Sequence, residues 1–477
     1  MLRFLIRSWQ TVDDRLGISK HFVPIIQHPV PPNTNWWYVF GSATLVTFIL
    51  QVVTGTVLAT IYVPSTAHAY DSIQFITRDA FLGNLVRGLH FWGASAMILF
   101  IGIHSVRVYL MGAFKYPREA NWLTGSILMV LTLGMGFSGQ LLPWDQNAVW
   151  SVIVGAEQAA KVPYIGPTLA RWILAGQTLN GMTLSRFYAA HVFFFPGLIF
   201  LVLGLHLYLV VHNGISDPPK AGRPVDPKTY RTWYEHMIKT EGVPFWPDAA
   251  WRDMIFGVLL VSAIFLLAWY VGPPPLKTVP DPTIIDASPQ PYWYFLWFFS
   301  ILAMSPHWAE TFLIIATPSV FFVVMFLLPF IANKGERSAR RRPWAIALVI
   351  MSIIIIGVFW WESKYQPWVP DFRAQYLPAS IINSRDAHVI HGALLFHERG
   401  CEYCHYVSGF GGHRGPDLTD IGHRLDRQQM LTFIMAGGYN MPPFAHVLKA
   451  QDADDLLDFL QSRKVTGNSE ALQRIKQ

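Results

Sequence analysis

Two long apolar runs, Leu85–Leu110 and Phe187–Val211, each carry two histidines, and this pairing constrains the chain more than any other feature. His90 and His104 lie 14 residues apart, and His191 and His206 lie 15 apart. On an α-helix about 14 residues make roughly four turns and ~21 Å, so both histidines of a run project to nearly one side. Two such helices packed antiparallel in a membrane bring His90 level with His191 and His104 level with His206. Imidazoles facing each other at two depths form two bis-histidine haem sites. Four isolated polar side chains are the bland alternative. Polar groups in lipid are costly and usually functional, and the matched spacing favours the haem reading.

The rest of the composition agrees with a membrane setting. The 477-residue chain is 52% hydrophobic and only 14% charged, whereas soluble domains average roughly 25% charged. A bilayer crossing needs about 20 apolar residues. The sequence predicts seven crossings: Trp36–Tyr62, Leu85–Leu110, Trp122–Gln140, Phe187–Val211, Met254–Val271, Glu310–Ile331 and Trp344–Trp361. Leu141–Arg186 reads as a long loop with short surface helices, and Met1–Lys20 as an interfacial amphipathic helix without a cleavable signal peptide. Basic residues crowd the N-terminus and the 2–3, 4–5 and 6–7 loops, 17 in all against 5 in the other loops. That asymmetry predicts a cytoplasmic N-terminus, and an odd number of crossings then puts the C-terminal segment outside. The net charge of +6 is spread over these loops and points to no nucleic-acid partner.

Glycines repeat the histidine period. Gly41 and Gly55 are 14 apart in the first run, as are Gly125 and Gly139 in the third. The shared period predicts clearance for two flat macrocycles, with ordinary small-residue helix packing as the alternative. The only two cysteines, Cys401 and Cys404, precede His405. Cys-x-x-Cys-His is the covalent c-type haem signature, with the imidazole as proximal ligand. Met441, in Asn440-Met441-Pro442-Pro443-Phe444, is the best-placed sixth ligand, with His413, His423 and His446 as the alternatives. Pro416 lies in the intervening segment. Covalent haem is attached outside the cytoplasm, in agreement with the charge-based orientation.

Arg87–Arg118, the segment Leu142-Pro143-Trp144-Asp145-Gln146 and the segment Leu184–His191 resemble cytochrome b of Rieske/cytochrome b complexes. The 14 and 15 spacings are similar to the short form, and Glu241–Trp361 resembles its separate subunit IV, here fused on. The C-terminus resembles a class I cytochrome c. The resemblance implies an all-α fold: a four-helix dihaem core at 1–215, a three-helix region at 216–366, and a linker with a small haem c domain at 367–477. It implies two haem b, one haem c and a quinone substrate. It implies an enzyme subunit that oxidises quinol at the outer face of a bacterial cytoplasmic membrane and couples this to proton translocation. The partners implied are a Rieske iron–sulfur protein, a cytochrome c or terminal oxidase as acceptor, and a second copy of the chain.

Residue by residue, the resemblance assigns His90 and His191 to the outer haem and His104 and His206 to the inner one. Arg87 matches a haem-propionate arginine. Pro291, Tyr292, Trp293, Tyr294 and Trp144 line the quinol-oxidation pocket. His212 and Asp217 are candidates for the quinone-reduction site. Three departures stand out. Tyr292 replaces the family's glutamate, Gln140 replaces a tyrosine, and Val39 replaces the cysteine that holds an additional haem in the short form. A phenol with a reference pKa of about 10 is a poor base near neutral pH. Asp286 is therefore the first candidate for proton acceptor, with Glu310 and His307 behind it. A haem-bearing membrane relay, or a scaffold whose quinol pocket has degenerated, are the competing functions.

Overall fold

The computed structural model describes residues 10–176, 179–280, 290–365, 376–411, 415–437, 441, 443–445 and 447–464; the side chains of 18, 21, 22, 25, 307, 308 and 310 are outside the description. In lipid every backbone N–H and C=O must be paired internally, so long apolar runs become helices. Seven helices among the described residues are long and apolar enough to cross a membrane, matching the seven runs expected.

The first three crossings are α1 (Phe40–Ala59), α2 (Gly83–Leu110) and α3 (Glu119–Leu141). Two surface helices follow, α4 (Gln146–Ala160) and α5 (Gly166–Leu174), in the segment expected to hold short helices. Asp145 caps α4 by accepting from Ala148 N–H at 2.9 Å. The fourth crossing, α6 (Gly181–Asn213), begins six residues before the apolar run does. Its polar first turn is recruited by a capping box between Asn180 and Thr183. Next come α7 (Ala250–Tyr270), the short apolar α8 (Trp293–Met304), α9 (His307–Ile331) and α10 (Pro343–Glu362).

In the bundle α1 packs along α2, α3 along α6, and α7 against the outer side of α2. A two-residue antiparallel pair, Pro29–Val30 with Val243–Pro244, ties the N-terminal lead-in to the start of the fifth crossing. Beneath the bundle, Arg337 is buried against Asp217, donating to its carboxylate and to Ser216 Oγ at 2.6 Å. A buried charge is tolerable only when paired and hydrogen-bonded. This pair joins the 4–5 loop to the 6–7 loop.

The C-terminal segment folds around α11 (Ala387–Glu398), α12 (Arg427–Ala436) and α13 (Ala450–Ser462), with α11 packed along α13. Phe396, Phe459, Leu456 and Leu457 are fully buried at its centre.

Candidate functional site

His90 on α2 and His191 on α6 face each other with ring centroids 6.3 Å apart. That gap admits one metal ion about 2 Å from a nitrogen of each ring. His104 and His206 line one cavity of about 400 Å³ on the Lys/Arg-rich side. The antiparallel arrangement read from the spacing is thus present at both levels.

The unequal spacings, 14 and 15, have a local cause. Ala190–Phe194 is a π-helical segment, and Phe195 N–H reaches back five residues to Ala190 O. Pro196 follows and has no N–H with which to continue the regular ladder. A π-bulge adds one residue to a turn, so 15 residues on α6 cover the depth that 14 cover on α2.

Three of the imidazoles are held by hydroxyls. Thr54 Oγ1 lies 2.9 Å from His90 Nδ1, Ser138 Oγ lies 3.1 Å from His191 Nδ1, and Thr124 Oγ1 lies 2.8 Å from His206 Nδ1. Each hydroxyl proton is already committed to its own helix, to Leu50 O at 2.6 Å, Gly134 O at 2.9 Å and Ala120 O at 2.9 Å. The oxygen can then only accept, so Nδ1–H is the donor and Nε2 keeps its lone pair. A metal-binding imidazole needs this tautomer and this kind of orienting contact. The sequence reading missed these residues, although a signal exists: a hydroxyl residue immediately precedes the glycine in Thr54-Gly55, Thr124-Gly125 and Ser138-Gly139.

The glycines at the shared period each lie against one of the four histidines. A Cβ at Gly55 would stand 3.1 Å from His90 Cε1, at Gly41 3.1 Å from His104 Cε1, at Gly125 3.4 Å from His206 Cε1, and at Gly139 2.6 Å from His191 Cε1. Each admits the edge of one imidazole. The period is shared because each glycine serves one histidine.

Arg107, one turn beyond His104, was also missed. Its guanidinium lies over the Tyr38 ring at 3.8 Å, and Nε and Nη2 are buried without a partner among the described residues. Two unmet cationic donors beside a cavity holding two imidazoles suit an acidic group on an otherwise apolar ligand. A haem with its propionates has that chemistry, and the residues present fit it. Arg87 is placed otherwise: it donates to Thr77 Oγ1 at 3.1 Å and Pro274 O at 2.8 Å, tying α2 to the loop after α7.

At the opposite end the Pro291–Tyr294 segment is pinned to α3 and α4. Tyr292 N–H donates to Gln140 Oε1 at 3.2 Å, so the glutamine that departs from the family pattern holds the motif's backbone. Gln290 and Asn147 bond reciprocally at 2.9 and 3.0 Å. Tyr294 OH donates weakly to Gly136 O at 3.4 Å. The Tyr292 ring packs on Phe91, 5.4 Å between centroids, and burial pushes its phenol up to about 12. Trp144 is buried nearby in a left-handed backbone conformation, φ 48°. Asp286 lies outside the described residues, as do the side chains of Glu310 and His307. The two inner quinone-site candidates separate: His212 is exposed and stacked on Tyr208, whereas Asp217 is consumed by the Arg337 pair. Neither lines the cavity of His104 and His206.

In the C-terminal unit His405 Nδ1–H donates to Pro416 O at 2.9 Å, which again leaves Nε2 free. Gly415 is required beside it, since a Cβ there would lie 2.7 Å from the ring. Burial lowers the His405 pKa and pushes Cys401 up to about 12. Cys401 and Met441 both pack against the domain core.

These features define a multi-pass helical membrane protein with a histidine-lined bundle and a C-terminal Cys-x-x-Cys-His domain. The family model described as cytochrome b/b6/petB matches residues 25–214, that of cytochrome b(C-terminal)/b6/petD matches 280–372, and that of cytochrome C oxidase, cbb3-type, subunit III matches 389–460. Cytochrome b6 of Heliobacterium modesticaldum is 42% identical over 203 residues, 42% of this chain and 95% of the relative. The menaquinol:cytochrome c reductase cytochrome b subunit of Bacillus subtilis is 37% identical over 223 residues, 45% and 99% of the two chains. Among solved structures, a hyperthermophilic respiratory Complex III chain shares the fold, with TM-score 0.61 and 24% identity over 74% of this chain and 91% of that one. The chain belongs to the cytochrome b/b6 family and carries a cytochrome c domain at its C-terminus.

Proposed function

We propose that the chain is the cytochrome b/c subunit of a quinol:cytochrome c oxidoreductase that works with a Rieske iron–sulfur partner. The observation that carries this reading is the set of four histidines facing in two pairs, three with their tautomer set by a committed hydroxyl. His90 and His191 hold one haem b, His104 and His206 the other, and Cys401, Cys404, His405 and Met441 the haem c. Bound there, haem supplies one-electron carriers at two depths of the membrane and a third outside it.

The chain's own residues position and insulate. Gln140 and Asn147 fix the backbone that presents Tyr292 and Tyr294, and Trp144, buried in the loop before α4, would line the same pocket. Tyr292, with its pKa near 12, keeps its proton at neutral pH and acts as a hydrogen-bond donor to quinol rather than as a base. The proton acceptor is then a carboxylate or histidine from the flanking segments, with Asp286 first. The Lys/Arg-rich end faces the cytoplasm of a bacterial cell and the haem c domain faces outward. The assembly is a dimer with an external cytochrome c or terminal oxidase as acceptor. The test is inhibitor-sensitive reduction of cytochrome c by quinol, measured on the complex purified with its partners. A complex that bears all its haems yet has no such activity leaves the relay function instead.

A further inference from the structure

Glu402 stands between the two cysteines of the C-terminal motif and is fully buried. Cys401–Tyr403 forms a single tight turn after α11. Glutamate is almost never fully buried unless it is paired. One oxygen, Oε2, accepts from His397 Nδ1 at 2.7 Å, and the other, Oε1, has no partner among the described residues. A carboxylate only accepts, so Nδ1 carries the hydrogen and Nε2 keeps its lone pair. His397 lies in the last turn of α11 with 20% of its side chain exposed, and the Tyr376 ring lies over it with centroids 3.7 Å apart. The imidazole thus joins a carboxylate inside the domain to water outside it.

The charges of this pair do not balance. A half-bonded carboxylate away from water is destabilising unless a positive charge compensates it. A proton added at His397 Nε2 supplies that charge. Arg399, just after α11, is already engaged with Asp452 of α13 at 3.6 Å. The other ionisable groups around the pair are Tyr376, the exposed Glu398, and Cys401 and Cys404, which no longer ionise once joined to a haem. The Phe410–Gly411 strand packed on the same turn adds none. A peptide step is ~3.8 Å, so the pair lies within about 10 Å of a haem held by Cys401.

We propose that His397, backed by Glu402, takes up a proton when the c haem is reduced and releases it when that haem is oxidised. The inference rests on the haem c reading above. An electron arriving from the Rieske partner converts Fe(III) to Fe(II) while a proton from the outer solution binds Nε2. When the electron leaves for the acceptor, the proton returns to solution, so the net charge of the domain is the same in both states. At about 10 Å and an effective dielectric of about 20, the added electron changes proton affinity about 15-fold. Tenfold corresponds to about 59 mV for a one-electron couple, so the c-haem potential should fall by about 70 mV as pH rises through the step.

The test is the c-haem potential of the purified complex, read spectroscopically over about pH 5 to 9, a range that brackets the ordinary imidazole value. A haem stain first verifies the covalent haem in each protein. His397→Gln keeps a donor to Glu402 but cannot bind the proton, and should remove the step. Glu402→Gln takes away the counter-charge and should move the step to lower pH. Haem propionates titrate in all three proteins, so the differences isolate the pair. Where a variant loses its haem, proton uptake by the wild type on reduction of the c haem, followed with a pH indicator in weak buffer, decides instead. A wild-type potential flat with pH, a step kept at the same pH in either variant, or no proton uptake overturns the proposal. A wild-type chain without covalent haem overturns the haem c reading as well.

Discussion

Alanine at Gly139 probes how closely the bundle is built around its histidines. A Cβ there would lie 2.6 Å from His191 Cε1 and 3.3 Å from both ring nitrogens. Carbon–carbon contact begins near 3.5 Å, so the ring must retreat by about 1 Å. The Ser138 Oγ to His191 Nδ1 bond, already 3.1 Å long, does not survive that shift. Overpacking costs about 1–3 kcal/mol and the lost hydrogen bond about 1 more, together roughly 30- to 1000-fold in affinity for a ligand that needs this ring. The other three glycines grade the effect. Gly41→Ala and Gly55→Ala, at 3.1 Å, ask the neighbour for a few tenths of an ångström, and Gly125→Ala, at 3.4 Å, asks almost nothing. The assay is the pyridine-haemochrome ratio of b to c haem, in which the covalent c haem counts the protein. The expected order of haem b loss is Gly139, then Gly55 and Gly41, then Gly125. A Gly139→Ala protein with the same ratio as Gly125→Ala refutes the packing argument.

Arg107→Gln removes the buried charge beside His104, and potentiometric titration should find one haem b at lower potential with the other unmoved. Met441→Ala should change the c-haem spectrum and lower its potential, because a thioether ligand raises it; an unchanged spectrum returns the sixth-ligand role to a histidine. In the haem c domain, Asp455 accepts from His391 and His388 Nδ1, each at 2.7 Å, contacts that hold its pKa down to about 2 and raise that of His388. The Asp455 contribution to stability is present above its unfolded value of about 3.9 and is lost as pH falls through 2; the His388 contribution is present below about 6.5 and is lost as pH rises through its raised folded value. Asp455→Asn should therefore lower the domain's melting temperature most between about pH 4 and 6.5, and a pH-independent loss speaks against the pair.

The helices and the four imidazoles were legible because both are local signals: apolar length and a fixed period. The fourth helix showed the limit, since Gly181–Arg186 is too polar to join an apolar run and enters the helix through its capping box. Partners across helices were not legible. Thr54 serves His90 from 36 residues away and Thr124 serves His206 from 82, and no window of sequence joins them. The glycine period set depth along each helix but left open which atom arrives there, so the imidazole edge beside each glycine was not legible. Asp217 shows the same limit from the other side. A carboxylate near the end of a crossing looks available until the fold brings Arg337 to it from 120 residues on.

Each of the two histidine pairs is expected to hold a haem b, and the C-terminal motif a haem c. Haem stoichiometry of the purified chain tests it most directly, by pyridine haemochrome with a haem stain of the denatured polypeptide. About two b haems are expected for each c haem, with the c haem alone remaining on the denatured chain. His191→Leu and His206→Leu should each remove one b haem and leave the c haem in place. A ratio of one b to one c in the native protein, or b-haem content indifferent to both substitutions, contradicts it.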